Sequence, residues 1–265
     1  METRAARLGL GAWTVLVVLF LWVPLAIILV YAFNSSNIQS WPIPGFTLPW
    51  FDVAWNDSEA RDALWLSVKA ALAATAVAMV LGTMAAFALA RFRFFGREAI
   101  SFLLILPIAL PGVITGIALR SFYSFGGVPY SLWTIVIGHA TFCIVIVFNN
   151  VLARLRRAGT SLTEASMDLG ADGWQTFRFV TFPVLSTALI SGGLLAFALS
   201  FDEVIVTTFT AGAQNTLPIW IFGAIRQGQQ LPEVNAVVFV VIAATVIPVT
   251  VAQRLTRDTG ILRRR

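Results

Sequence analysis

The sequence predicts an all-α membrane protein with six transmembrane helices and both termini in the cytoplasm. Three observations support this fold class. First, 58% of the 265 residues are hydrophobic and 12% are charged, with a mean hydropathy of +0.84, far outside the range of soluble globular domains. Second, the apolar residues fall in long runs. Third, the basic residues alternate from one connecting segment to the next.

Six apolar runs are long enough to cross a hydrocarbon core, which needs about 20 helical residues. The first follows Arg4 and Arg7 and could be taken for a signal peptide, but its apolar stretch is too long and no small-residue cleavage site follows it. We therefore interpret it as a retained span. The six predicted spans lie at 11–33, 64–90, 99–120, 131–153, 184–209 and 234–253.

The third run contains "LPIALPGVITG", with Pro107 and Pro111 followed by Gly112 and Gly116. Proline removes a backbone donor, and in lipid the freed carbonyl groups must be satisfied by neighbouring protein or water. This span is predicted to be kinked and to pack against other helices or a pathway.

The positive-inside rule orients these spans. The segments between the basic clusters have the opposite character: 34–63 carries four acids against Arg61, and 121–130 has no charge. The first of these outer segments is rich in Trp, Phe and Pro, typical of a segment at the lipid headgroups or of a surface for a partner protein. The basic residues assigned to the cytoplasm are Arg4, Arg7, Arg91, Arg93, Arg97, Arg154, Arg156, Arg157, Arg178, Arg254, Arg257 and Arg263 to Arg265.

Several other kinds of protein are excluded or disfavoured. The net charge of +5 is the balance of 17 arginines and one lysine against 13 acids. The placement of the basic residues between apolar runs indicates topology rather than nucleic-acid binding. A single cysteine, Cys143, allows no intrachain disulfide and no Cys-based metal cluster, and a single histidine, His139, supplies no His pair for a metal. The chain has no G-x-x-x-x-G-K-[ST] motif, so we expect no nucleotide or other cofactor on it.

Residues 160–183 form a polar segment between the fourth and fifth runs, on the cytoplasmic side. Thr160 to Thr163 can supply an N-cap, Glu164 lies in the first turn, and Gly170 and Gly173 bracket a bend. This pattern predicts two short helices at a bend with an aromatic face outside the membrane. We expect it to dock to another protein; an amphipathic helix on the bilayer surface is the alternative. The apolar residues of this face are Leu169, Trp174, Phe177 and Val180.

The segment resembles the EAA motif of ABC importer permeases. Glu164-Ala165-Ser166, three residues, Gly170, nine residues, Val180, one residue and Phe182-Pro183 follow the family spacing, with Ser, Val and Phe in place of Ala, Ile and Leu. The resemblance implies the type I ABC importer permease (MetI-like) fold, in which this segment is the coupling helix. The residues implied to contact the ATPase are Glu164, Ala165, Ser166, Gly170, Phe177 and Pro183.

The same resemblance implies an assembly in the bacterial inner membrane. The partners would be a second permease subunit, two copies of an ATP-binding subunit that holds ATP and Mg²⁺, and an extracytoplasmic solute-binding protein. ATP binding would close the ATPase dimer and move the coupling helices, and the spans would alternate their access.

Four further segments look like the spermidine/putrescine permeases, specifically the second of their two paired permease subunits. This finer resemblance implies polyamines as the solute, although permeases for other solutes share parts of these segments. The segments are "AFNSS" (32–36), "GHATFC" (138–143), "FALSFDEVIVTTFTAG" (197–212) and "PEVNA" (232–236).

Asp202 and Glu203 are adjacent acids near the outer end of the fifth run. Acids within a span suggest function, and these would suit a polyamine ammonium group; hydration or pairing with a partner's arginine is the alternative. On one continuous helix the two could not both face the same pore, because neighbouring side chains point about 100° apart. His139 and Ser200 are further pathway candidates, although such groups more often hydrogen-bond a neighbouring helix.

Three alternatives to a polyamine permease remain at the level of sequence. An ABC permease for another small solute, such as an amino-acid derivative, iron or thiamine, would share the same motif. An ion-coupled secondary transporter would use the acids as coupling sites but leaves the EAA spacing unexplained. A membrane enzyme is disfavoured because no catalytic constellation is present.

Overall fold

The computed structural model describes residues 4–228 and 231–261, and these residues are mostly helical. The all-helical prediction is therefore confirmed. The helices are α1 (Arg4–Tyr31), α2 (Pro49–Asn56), α3 (Ser58–Arg91), α4 (Arg97–Ala109), α5 (Gly112–Phe125), α6 (Leu132–Ala158), α7 (Ser161–Asp168), α8 (Gly173–Thr176), α9 (Phe182–Phe201), α10 (Ile205–Thr210), α11 (Leu217–Gln227) and α12 (Leu231–Ile261), with a π-helical segment (Phe177–Thr181) between α8 and α9.

Among the residues that the structure describes, four helical stretches are long and apolar enough to cross a membrane: most of α1, all of α3 and α6, and the stretch from α8 through α9. The bent pair α4 and α5 makes a fifth if it is one span. Helix α12 lies at the sixth predicted run, and its part Leu231–Val246 is a shorter apolar helix. The orientation of the termini stays a prediction, and Arg263, Arg264 and Arg265 lie outside the described residues.

The third predicted span is broken rather than gently kinked. Helices α4 and α5 meet at an angle of 104°. Leu110 is extended, with ψ of 140°, because the ring of the following proline disfavours helical backbone at the preceding residue. Pro111 then precedes the first residue of α5, and Pro107 is accommodated inside α4. The predicted disruption is confirmed, and the Leu110–Pro111 pair is its position.

The described residues form two compact units, one drawn from 4–61, 221–228 and 231–251 and the other from 62–220 and 252–261. In the first unit, the segment after α1 folds back through an antiparallel bridge between Asn34 and Phe46. Trp50 at the start of α2 donates its indole N–H to the carbonyl oxygen of Asn34 at 2.8 Å. The rings of Phe33, Phe51 and Phe239 then pack together, with centroids 5.2 to 5.5 Å apart.

The core of the second unit is the packing of α6 against α3 and α9. Gly82 of α3 lies so close to α6 that a Cβ atom there would come within 2.9 Å of the Ile144 carbonyl oxygen. Cys143 is buried, and its thiol donates to the Ala196 carbonyl oxygen of α9 at 3.3 Å. Small residues at such positions let helix backbones approach closely, which drives helix association in lipid.

The fifth predicted run, 184–209, is not one helix. Helix α9 ends at Phe201, and the chain turns through Asp202 to Val204 before α10 begins. Helix α10 packs against α5 and α6, and a Cβ atom on Gly116 would overlap the ring of Phe209. The predicted run continues through this break because Val204, Ile205, Val206 and Phe209 resume the apolar pattern after the two acids.

Candidate functional site

The coupling segment 160–183 has the predicted form of two short helices at a bend. Helix α7 ends at Asp168, and Gly170 follows with φ of +86°, the left-handed conformation that glycine adopts without strain. Helix α8 begins at Gly173. The hydroxyl groups of Ser166 and Thr176 lie 3.2 Å apart and join the two helices across the bend.

The two helices are capped differently from the sequence prediction. Thr160 is the N-cap residue of α7, but its side chain makes no capping hydrogen bond. Asp172 caps α8 instead, since its carboxylate accepts from the Gln175 N–H at 2.7 Å while the Gln175 side chain accepts from the Asp172 N–H. The Asp-x-x-Gln spacing of this capping box is a sequence signal for the start of α8.

A π-helical segment, Phe177–Thr181, joins α8 directly to α9. Phe177 lies among three other rings: its centroid is 5.8 Å from that of Trp174, 6.0 Å from that of Phe87 on α3 and 6.2 Å from that of Phe182 on α9. Phe177 therefore connects the coupling segment to two spanning helices. π-Helical turns are rare and often occur at functional sites.

Much of the segment's apolar surface is exposed. Leu169 is 89% exposed and Trp174 is 66% exposed, and a Cβ atom on Gly170 would meet no other atom. Such a surface is typical of a protein or membrane contact. Of the residues predicted to contact an ATPase, Glu164, Ala165, Gly170, Phe177 and Pro183 are exposed and Ser166 is half-buried.

Behind α7 lies a cavity of about 440 Å³, which we call the coupling cavity. The ends of α3 and α6, the first turns of α7, the end of the π-helical segment and the start of α9 surround it. Arg91 at the end of α3 donates weakly to the Thr163 hydroxyl of α7, at 3.4 Å. This cavity could not be predicted from the sequence, because its walls are far apart along the chain.

His139 of α6 is buried, with 1% of its surface exposed. Its Nδ1 lies 2.7 Å from the Ser200 hydroxyl of α9, and its Nε2 lies 2.7 Å from the Thr207 hydroxyl of α10. Thr207 donates its single hydroxyl proton to the Glu203 carbonyl oxygen at 2.6 Å, so Nε2 must donate to Thr207. In the neutral imidazole, Nδ1 then accepts from Ser200.

These contacts make His139 a hydrogen-bonded link between three helices. Two residues predicted separately as pathway candidates, His139 and Ser200, are thus brought together, and Thr207 joins them. Both ring nitrogens of His139 are engaged within the protein. The predicted alternative of hydrogen bonding to neighbouring helices accounts for this geometry, and a role in a solute pathway stays a prediction.

Asp202 and Glu203 lie in the break between α9 and α10, so these two residues do not share one continuous helix. Asp202 is exposed, whereas Glu203 is half-buried. The Glu203 carboxylate accepts a hydrogen bond from the Val206 N–H at 2.9 Å in the first turn of α10. Asp202 makes no side-chain hydrogen bond to the described part of the chain. The two acids therefore differ: the Glu203 carboxylate stabilises the first turn of α10, and the Asp202 carboxylate is available to bind a ligand.

Within residues 4–228 and 231–261, no group of three or more His, Cys, Asp or Glu side chains is arranged to hold a metal ion.

Known proteins resemble this chain over most of its length. Residues 78–257 match the family model for the binding-protein-dependent transport system inner membrane component. The putrescine transport system permease protein PotI of Escherichia coli (strain K12) is 35% identical over 245 residues, covering 88% of this chain and 86% of PotI. The spermidine/putrescine transport system permease protein PotC of the same strain is 30% identical over 254 residues, covering 95% of each.

A solved structure has the same fold. It is the crystal structure of a bacterial ABC transporter involved in the import of the acidic polysaccharide alginate; one of its chains superposes with a TM-score of 0.71 at 17% identity, covering 96% of this chain and 98% of that one. The chain therefore belongs to the family of binding-protein-dependent transport system inner membrane components, as an inner-membrane permease subunit of an ABC importer whose ATP is hydrolysed by a separate subunit.

Proposed function

We propose that this permease carries polyamines, putrescine and spermidine, into the cell by alternating access. It works with a second permease subunit, two copies of an ATP-binding subunit that hold ATP and Mg²⁺, and an extracytoplasmic solute-binding protein, and it needs no cofactor of its own. The observation that carries the proposal is the similarity, at 30 and 35% identity over most of the chain, to two permeases named for putrescine or spermidine transport.

The chemistry of Asp202 supports a cationic solute. Its exposed carboxylate follows directly after α9 and has no hydrogen-bond partner of its own in the described chain. An alkylammonium group offers N–H donors and a positive charge, and a charge-assisted hydrogen bond between such groups is about twice as strong as a neutral one. In this proposal Asp202 receives an ammonium group of the polyamine, and Glu203 adds negative charge beside it.

The coupling segment receives the movement that ATP binding causes in the ATPase. Glu164, Ala165 and the Gly170 bend form the surface that docks to the ATPase, and the exposed Leu169 and Trp174 extend it. The segment resists bending within itself, because the Ser166–Thr176 contact joins its two helices. Motion imposed on it passes through Phe177 to α3 and through the continuous π-helical segment to α9.

The experiment is uptake by proteoliposomes that contain the complete importer with its solute-binding protein. Labelled putrescine and spermidine should accumulate only with internal ATP, and unlabelled polyamines should compete while iron, thiamine and amino-acid derivatives should not. If the importer shows no ATP-dependent uptake of polyamines but takes up one of those competitors, that competitor is the substrate. The role of the chain as an ABC permease would then still hold.

A charge-neutralising variant tests the acid. Asp202→Asn keeps the size of the side chain and should lower kcat/KM for polyamine uptake roughly 10- to 100-fold, the effect of about 1.5–3 kcal/mol for a hydrogen bond to a charged group. Asp52→Asn, an exposed acid on α2, is the matched control and should transport normally. Equal uptake by both variants would show that Asp202 does not belong to the solute pathway.

The ion-coupled alternative predicts a different result. This chain alone, reconstituted without its partners, would then accumulate solute under a proton or sodium gradient. We expect no accumulation under either gradient, and uptake by the lone chain would overturn the ABC mechanism.

A further inference from the structure

We propose that the coupling cavity binds a phosphate group, supplied either by the headgroup of an anionic lipid or by free phosphate. Nothing in the similarity to known permeases assigns a ligand to this place. Its volume of about 440 Å³ falls in the range of roughly 300–1,000 Å³ for small-molecule sites.

The lining of the cavity is mostly apolar, and its charged residues favour an anion. Arg91 enters from the end of α3 and Arg156 from the end of α6, and Glu164 is the single acid among the lining residues. Arg156 makes no hydrogen bond or ion pair with the described part of the chain, and the bond from Arg91 to Thr163 is long, at 3.4 Å. Both guanidinium groups are therefore available, and their planar donors match phosphate oxygens.

The first turn of α7 adds backbone donors. The first N–H groups of a helix have no partner within it, and they carry the positive end of the helix dipole. Thr160 precedes this turn and its side chain leaves those groups uncapped. Residues Thr160, Leu162 and Thr163 all line the cavity, so the uncapped turn adjoins it and would suit an anion.

A buried hydroxyl group provides an independent sign of a missing ligand. Thr181, at the end of the π-helical segment, lines the cavity and is only 7% exposed. Its Oγ1 atom is buried and has no hydrogen-bond partner. A buried polar group without a partner costs about 1–3 kcal/mol. Because Oγ1 is closed to a water-sized molecule, the side chain must turn about χ1 before a phosphate oxygen in the cavity can accept from this hydroxyl.

The position of the cavity suits a lipid headgroup. Arg91 is the last residue of α3, a helix long and apolar enough to cross the membrane. Its guanidinium carbon lies 6.0 Å from the ring centroid of Phe87, one turn further into the helix. Lipid phosphates lie at the level where such helices leave the hydrocarbon, whereas free phosphate would enter from the water.

An occupant would contact α3, α6 and α7 together and hold the coupling helix against the spans. Binding of the phosphate group does not depend on the polyamine assignment or on the docking role of α7. Only the expected effect on ATPase coupling rests on the proposed function, so the test measures the two separately.

The binding test uses the complete importer, transferred into nanodiscs of phosphatidylcholine mixed with phosphatidylglycerol. Native mass spectrometry then measures the phosphatidylglycerol retained by the complex after the surrounding lipid is removed. Arg156→Gln should weaken retention about tenfold, the effect of about 1.4 kcal/mol from one lost charge-assisted bond. Arg157→Gln is the matched control, because this exposed neighbour does not line the cavity.

Glu164→Gln should act in the opposite direction and increase retention, because it removes the single acid from the lining. A purely structural role for these residues would not produce opposite signs. Equal retention by wild type, Arg156→Gln and Arg157→Gln, with no competition by inorganic phosphate, would overturn the proposal.

Inorganic phosphate distinguishes the two sources. If it binds the detergent-solubilised complex and Arg156→Gln weakens that binding while retention of phosphatidylglycerol is equal in all variants, the site takes free phosphate. If lipid retention alone depends on Arg156, the occupant is the headgroup. Substrate-stimulated ATPase activity is measured alongside: binding that depends on Arg156 without any change in this activity supports the site and refutes its role in coupling.

Discussion

Replacing His139 by leucine should destabilise the protein without altering the affinity for solute. The side chain makes two hydrogen bonds of 2.7 Å to other helices, through Ser200 and Thr207. Hydrogen bonds between membrane helices average about 0.6 kcal/mol and reach about 1.7 kcal/mol. Leucine fills a similar volume, so the cavity term is small and the expected loss is about 1–3 kcal/mol of unfolding free energy.

The assay is unfolding of the purified complex in mixed micelles titrated with denaturing detergent, combined with uptake kinetics. Thr208→Val is the control, because its hydroxyl is exposed and donates within its own segment to the Val204 carbonyl oxygen. Combining His139→Leu with Ser200→Ala should cost less than the sum of the single variants, since both remove the same bond. If His139→Leu is as stable as Thr208→Val but has a raised KM for uptake, the structural role is refuted and His139 belongs to the solute pathway.

Two further substitutions test the bend and the buried break. Gly170→Asp should abolish substrate-stimulated ATPase activity or assembly while the spans stay inserted, because it puts charge on the docking surface at an αL position. Normal stimulation of the ATPase by substrate would refute the docking assignment. Gly116→Val should overlap Phe209 and cost about 1–3 kcal/mol through overpacking, measured as a shorter thermal half-life of the complex. In Gly112→Ala the new Cβ atom would make ordinary contacts of 3.5 Å to Ile205, and equal half-lives for these two variants would contradict the packing argument.

The sequence predicts best what short-range physics determines. Runs of apolar residues predict the spanning helices, because length and hydropathy decide which segments can enter a bilayer. The Leu110–Pro111 break and the Gly170 bend are also local, since proline restricts its predecessor and glycine tolerates positive φ. Each feature depends on neighbours within a few residues, so each was visible in the sequence.

Features that depend on distant residues could not be predicted in this way. The end of α9 at Phe201 and the packing of α10 are set by contacts with α5 and α6, such as Phe209 against Gly116. The hydrogen bonds of His139 join residues 61 and 68 positions apart. Identifying these polar residues as candidates required only their types, whereas recognising their pairing required the fold.

Helix α9 joins the two regions proposed to be functional. It has 20 residues, which corresponds to about 30 Å at 1.5 Å per residue. At one end it continues from the π-helical segment of the coupling region, and at the other it ends one residue before Asp202. The end near Asp202 is held to α6 and α10 through the bonds of His139 to Ser200 and Thr207. A shift of the coupling segment along α9 must therefore either break these bonds or carry α10 and α6 with it. Because Thr207 also bonds the Glu203 carbonyl oxygen, movement that keeps the network intact would reposition the acids as a unit.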